Sequence, residues 1–245
     1  MHVMRIFIAI LYTLVNSVHS RELQMPIVEV NILGAGLHRK IAYIVRFNDS
    51  LVGAKCEYIL KQNLPAAVYV NTDELEDLKR LGKLDGIFPR FVDIEVPTEK
   101  AKPFDVYLRA APKIADNLIL PIHYRYHAPH PVNRFSFVEL TKPIMYIKCS
   151  SSEETLLESN RRYCLDCDLL NISPQTNQSI DNENCNWILL PPIYRIVSSL
   201  KASIPVGSKM AYTSVFYGTI LISWCAVLWS MFSVFQRVQD IKYKL

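Results

Sequence analysis

The sequence predicts an all-β fold: a luminal, β-sandwich-like domain with one short helix, followed by a single C-terminal transmembrane helix. Three observations carry this expectation. Short apolar and β-branched runs recur between residues 26 and 149, punctuated by prolines. Only one segment in that stretch shows a helical period with start and stop signals. Near the C-terminus, Ala211 to Phe235 is 25 residues long and carries no charge.

Taken in chain order, the first 20 residues read as a signal peptide. Arg5 supplies a short positive region, Ile6 to Val15 is almost unbroken in its apolarity, and Val18 and Ser20 occupy the −3 and −1 positions of a cleavage site. Residues 21–208 then form the expected luminal domain, long enough to bury a sizeable core. The span is expected at 209–236 and a cytosolic tail at 237–245. At about 1.5 Å per residue the charge-free run reaches roughly 37 Å, enough to cross a bilayer with modest tilt. Arg237, Lys242 and Lys244 follow it. Basic residues after a span belong on the cytosolic side, so both ends of the chain indicate type I topology. The net charge of +4 comes from scattered lysines and arginines, which gives nucleic-acid binding no support.

The expected strands are Pro26 to Leu33, Lys40 to Phe47, Cys56 to Gln62, Ala67 to Val70, Phe91 to Glu95, Phe104 to Leu108, Leu118 to Tyr126, Ser136 to Leu140 and Ile144 to Cys149. Strands this short, broken this often, suit a sandwich better than alternating β–α units. Asn71 can cap the one helix, Glu74 completes a capping-box pattern, and Leu75, Leu78 and Leu81 follow at helical spacing up to Gly82. Acids precede bases along it, as the helix dipole favours. This is a surface helix lying across the sheet. Residues 150–186 are polar throughout and read as a long, loosely ordered excursion. Leu200 to Val206 is a last strand before the membrane.

Five cysteines fall in the luminal part: Cys56, Cys149, Cys164, Cys167 and Cys185. An oxidising compartment allows disulfides, and an odd count leaves one thiol free or paired to another chain. A bridge between the strands bearing Cys56 and Cys149 is one candidate pairing. Cys164 and Cys167 form a Cys-x-x-Cys without a helix N-terminus or a second ligand pair, so a structural staple is preferred to redox or metal chemistry. Asn48, Asn171 and Asn177 begin N-glycosylation tripeptides, all in the part assigned to the lumen.

The densest polar cluster runs from Leu120 to His130. On an extended strand, His123, Arg125 and His127 share one face and Ile122, Tyr124 and Tyr126 the other. A metal centre on His123 and His127 is disfavoured, because their Cα atoms would lie about 13 Å apart. A catalytic histidine would need a nucleophile and an orienting acid, and neither is nearby in sequence. A polar strand face, packed on a partner or on Glu29 or Glu95, is the expectation. Gly34 and Gly36 make a turn feeding a strand, since the third glycine and the helix of a dinucleotide site are missing.

Gly36-Leu-His-Arg39, Leu64-Pro65, Val68-Tyr69-Val70-Asn71, Glu74-Leu75, Val92-Asp-Ile-Glu95, the block from Leu120 to His130, and Ile204-Pro-Val-Gly207 before the span together resemble the PIG-X family. The resemblance runs from about residue 29 to the membrane span. It implies a type I glycoprotein of the endoplasmic reticulum with no cofactor. Such a protein would bind and stabilise a multi-pass catalytic subunit, the first mannosyltransferase of glycosylphosphatidylinositol (GPI) synthesis. That enzyme moves mannose from dolichol-phosphate mannose to glucosaminyl-phosphatidylinositol. Family members are not the catalyst, so no catalytic residues carry over. His38, Arg39, Tyr69, His123, Arg125, Tyr126 and His127 lie in the matching blocks and are expected to serve the luminal fold or the subunit contact. Two rival readings are a luminal enzyme built on His123, His127, Cys164 and Cys167, and an adhesion-like surface domain.

Overall fold

The computed structural model describes residues 25–49, 51–150, 162–166, 171–174 and 185–244. The expected signal peptide, Cys167 and Asn177 lie outside the described residues. The chain divides into two units. One extends up to Tyr126 and includes Phe137–Ala202; the other joins His127–Ser136 to Ser203–Leu245.

The first unit holds two sheets and one short helix. The five-stranded sheet has β1 (Ile27–Leu33), β2 (His38–Arg46), β4 (Val68–Tyr69), β7 (Asp116–Tyr124) and β13 (Ile193–Ile196), in the order β13-β1-β2-β7-β4. Antiparallel β1 and β2 are joined by a turn in which Gly34 and Gly36 both adopt left-handed φ, +93° and +73°, so glycine is the residue this turn demands. The seven-stranded sheet has β3 (Cys56–Leu64), β5 (Gly86–Ile87), β6 (Phe104–Ala110), β9 (Ile144–Cys149), β10 (Arg162–Asp166), β11 (Asn171–Pro174) and β12 (Trp187–Leu189). Its order is β11-β10-β12-β9-β3-β6-β5. A further ladder pairs β8 (Phe135–Glu139) with β14 (Lys201–Pro205).

The inner faces of the two large sheets meet through tyrosines. Tyr43 on β2 donates its hydroxyl to Gln62 Oε1 on β3 at 2.8 Å. Tyr58 on β3 donates to Asp116 Oδ2 on β7 at 2.8 Å, and Lys113 Nζ donates to the other carboxylate oxygen at 3.0 Å. Burial and the bond to Asp116 push the Tyr58 phenol well above its usual range, so it stays a donor. Val28, Val30, Leu60, Leu64, Leu120 and Ile122 are buried with them. At about 25 cal/mol per Å² of apolar surface, this burial drives the assembly, and the paired hydroxyls avoid the cost of stranding polar groups inside it.

The seven-stranded sheet is buried on its second face as well. Ile59, Tyr107, Tyr146, Leu165 and Trp187 form a separate apolar cluster, although Leu165 and Tyr107 stand on strands far apart in the sheet order. The sheet must curl for them to meet. This explains the consecutive buried residues Tyr58 to Leu60, Val106 to Leu108 and Met145 to Ile147, where a one-sided sheet would alternate.

The sandwich-like, all-β expectation holds, and most strands fall within two residues of their expected bounds. Phe91 to Glu95 is the exception: the segment is irregular, and Phe91 is 79 % exposed. The stretch expected as a loose excursion instead contributes β10 and β11 to the curled sheet. Their polar composition concealed them. Cys164 bridges to Cys185, and Cys56 bridges to Cys149 across neighbouring strands in register. The short β5, β12 and β13 were also not anticipated.

The helix α1 (Thr72–Arg80) begins as expected. Asn71 Oδ1 accepts from the backbone N–H of Asp73 and of Glu74, at 3.0 and 3.4 Å. Gly82 then turns the chain with φ of +64°. In the second unit, His130 N–H donates to Gly207 O and Lys209 N–H to His130 O, tying the 127–136 segment to the residues preceding α2 (Tyr212–Lys244). Residues Lys209–Val238 are long and apolar enough to cross a membrane, with a mean hydropathy of 1.8. Leu221, Ile222, Trp224, Leu228 and Trp229 are all exposed, as a lipid-facing helix requires. The helix continues beyond the expected end of the span at residue 236.

Two outcomes follow for stability. The Cys56–Cys149 bridge spans 93 residues of sequence, so replacing both cysteines by serine should destabilise the fold by about 2–5 kcal/mol, read by chemical denaturation. Tyr58→Phe should cost about 1.5–3 kcal/mol in the same measurement, because it removes a donor from a buried carboxylate.

Candidate functional site

The outer face of the five-stranded sheet gathers the polar residues that the sequence singled out. The register places His38 on β2 opposite His123 on β7, and Tyr69 on β4 opposite His123 from the other side. Three ring side chains therefore lie in one row across three strands. Tyr69 stacks on His123 with ring centroids 5.0 Å apart and planes 16° apart; His38 meets His123 edge-on at 4.4 Å. Because only Val70 and Asn71 separate β4 from α1, the first turn of the helix brings Glu74 over this row, with Oε2 3.5 Å from His123 Nε2. His38 Nδ1 is 3.1 Å from the same nitrogen. A cleft of about 400 Å³ runs alongside, lined by Lys40, Glu74, Leu78, Lys83 and Pro121 among others. Burial and the neighbouring His38 lower the His123 pKa, while Glu74 acts the other way. His123 thus faces Glu74 of α1, not the expected Glu29 or Glu95; Glu29 pairs with Arg46.

The expected face alternation holds through Tyr124 and ends there, because β7 ends there. Arg125 turns inward and is only 6 % exposed. Its backbone N–H donates to Ala67 O, its Nη1 donates to Val96 O at 2.8 Å, and its guanidinium lies 4.9 Å from the Tyr69 ring centroid. Burial lowers its pKa, and Tyr69 and Asp93 oppose that shift. Arg125 thereby fastens the irregular 91–96 segment to the end of the sheet. Arg39 lies over the Tyr124 ring at 5.4 Å and donates from Nε to Gly36 O. Tyr126 is 72 % exposed. His127 belongs to the second unit, and its Nδ1 is buried without a hydrogen-bond partner among the described residues.

Sequence reasoning missed Glu74 as a site residue and took it only for a capping residue. The contact needs β4 to pair with β7, which no local pattern reports. Cys164 lies in a disulfide and is no thiolate, which removes it from the enzyme reading built on His123, His127 and the Cys-x-x-Cys.

The fold and these residues define a class: a membrane-anchored β-domain protein, single-pass and type I, with its sheets on the luminal side. Within it, the PIG-X / PBN1 family model matches residues 34–235, and the chain belongs to that family. Three relatives are similar to it, each described as "GPI alpha-1,4-mannosyltransferase I, stabilizing subunit". The human protein is 29 % identical over 129 residues, which is 50 % of this chain and 50 % of that protein. The rat protein is 25 % identical over 199 residues, covering 77 % of this chain and 73 % of its own length. The mouse protein is 24 % identical over 197 residues, covering 77 % and 72 %. This chain therefore spans about half the length of the human relative and nearly three-quarters of the rodent ones.

Arg125→Ala should release the 91–96 segment. We expect faster proteolytic cleavage after Arg90 or Lys100, with a loss of global stability of about 1–3 kcal/mol from the unpaired Val96 carbonyl and the lost packing on Tyr69.

Proposed function

We propose that this chain is a non-catalytic, stabilising subunit of GPI α-1,4-mannosyltransferase I in the membrane of the endoplasmic reticulum. It would hold a separate, multi-pass catalytic subunit that adds the first mannose to glucosaminyl-phosphatidylinositol. The observation that carries the reading is the reach of the family match: residues 34–235 take in the β domain and the spanning helix together. A lipid-linked donor and acceptor must meet at the bilayer, and one helix cannot enclose that meeting place. A partner with several spans supplies what this chain lacks.

The family-block residues divide by environment. His38, Arg39, Tyr69, His123 and Arg125 have partners within the first unit, which favours a role in the luminal domain over one in the subunit contact. Tyr126 projects outward, and Phe91 and Ile94 are also exposed. Aromatic side chains are enriched at protein contacts, and Tyr126 is an exposed aromatic in a family-matching block, so it is assigned to the subunit contact.

Deleting the chain should lower both the abundance of the catalytic subunit and the first mannosylation, and re-expression should restore both. Tyr126→Ser should reduce co-purification of the catalytic subunit in mild detergent while leaving the thermal midpoint of this chain unchanged. Normal catalytic-subunit levels and normal GPI mannosylation after deletion would refute the assignment.

A further inference from the structure

We propose that His38, Glu74 and His123 form a binding site for a divalent transition-metal ion of the zinc type, joining β2, β7 and the first turn of α1. Each residue offers one ligand atom, and the three atoms lie within 4.8 Å of one another. Two imidazole nitrogens bound to one ion at about 2.0–2.1 Å stand roughly 2.8–3.4 Å apart for bond angles between square and tetrahedral. His38 Nδ1 and His123 Nε2 are 3.1 Å apart, inside that range. Glu74 Oε2 is 3.5 Å from His123 Nε2, close to the tetrahedral spacing. Two imidazoles and one carboxylate are a ligand set that zinc commonly takes, with a further position left for water. Here the fourth side is free, because His38 is exposed and the cleft lined by Lys40 and Pro121 lies alongside.

His38 Nδ1 lies 3.1 Å from His123 Nε2 and 3.3 Å from His123 Nδ1, and Glu74 Oε2 lies 3.5 Å from His123 Nε2, so three ligand-type groups gather at one imidazole. A cation placed between them accepts a lone pair from all three groups at once. The surroundings hold the ligands in place as a metal site needs: Tyr69 stacks on the His123 ring, and the Asn71 cap fixes the turn that carries Glu74. The consequence is a clamp between the helix and the sheet. Binding to the folded form only would raise its stability with metal concentration.

The test uses the full chain purified in mild detergent and stripped with a chelator. Zn²⁺ is titrated against a chromophoric competitor, and Co²⁺ serves as a spectroscopic probe. One ion per chain, visible Co²⁺ bands of a four- or five-coordinate centre, and a Zn²⁺-dependent rise in thermal midpoint are expected. His38→Ala and Glu74→Gln should each weaken binding by more than about tenfold, with His130→Ala unchanged. His38 is exposed, so its replacement leaves the fold standing. The proposal is overturned if micromolar Zn²⁺ does not bind saturably. It is equally overturned if His38→Ala binds Zn²⁺ with the affinity and Co²⁺ spectrum of the parent chain.

Discussion

Strand β7 is the constraint on which the rest of the luminal structure depends. At its start, Asp116 accepts from Tyr58 and fixes the curled sheet against the five-stranded one. At its end, His123 stands between β2 and β4 and beneath α1. A carboxylate buried to 7 % exposure is tolerable only with its donors in place. Tyr58 and Lys113 supply them, and they work only in one relative placement of β3 and β7. The pairing of the sheets is thereby tied to the same strand that organises the polar row on the outer surface.

The curling of the seven-stranded sheet follows a similar logic. Its strands carry more apolar residues than one buried face can use, and folding the β10–β12 end over Ile59 and Tyr107 buries the surplus. The Cys164–Cys185 bridge ties β10 to Cys185, two residues before β12 begins, where the chain is otherwise polar. Both disulfides reduce the entropy of the unfolded chain.

Among family members described as stabilising subunits, this architecture gives the word a physical content. A luminal domain that is itself well braced can present a fixed surface to a partner, and a single spanning helix delivers that surface to the bilayer. Fixed surfaces bind with less loss of conformational freedom than mobile ones. Arg125 illustrates the bracing. Its placement under Tyr69 keeps the irregular 91–96 segment attached to the sheet, next in sequence to the outward-facing Tyr126.

The sequence by itself determined what depends on local pattern: the β character, the Asn71-capped helix, the apolar span with basic residues beyond it, and the family blocks around His38, Tyr69 and His123. These are periodicities and short motifs, readable within ten or twenty residues. Tertiary structure alone decided the rest. Phe91 to Glu95 has the composition of a strand but no partner strand takes it, and Arg162 to Asp166 looks like loop yet pairs with Trp187 and Ile188. Whether a segment becomes a strand depends on the edge it meets, and that edge lies far away in the chain. The same reason hid Glu74. His38, Glu74 and His123 are separated by 36 and 49 positions in sequence, and only the pairing of β2 and β4 with β7 draws them within reach of one ion.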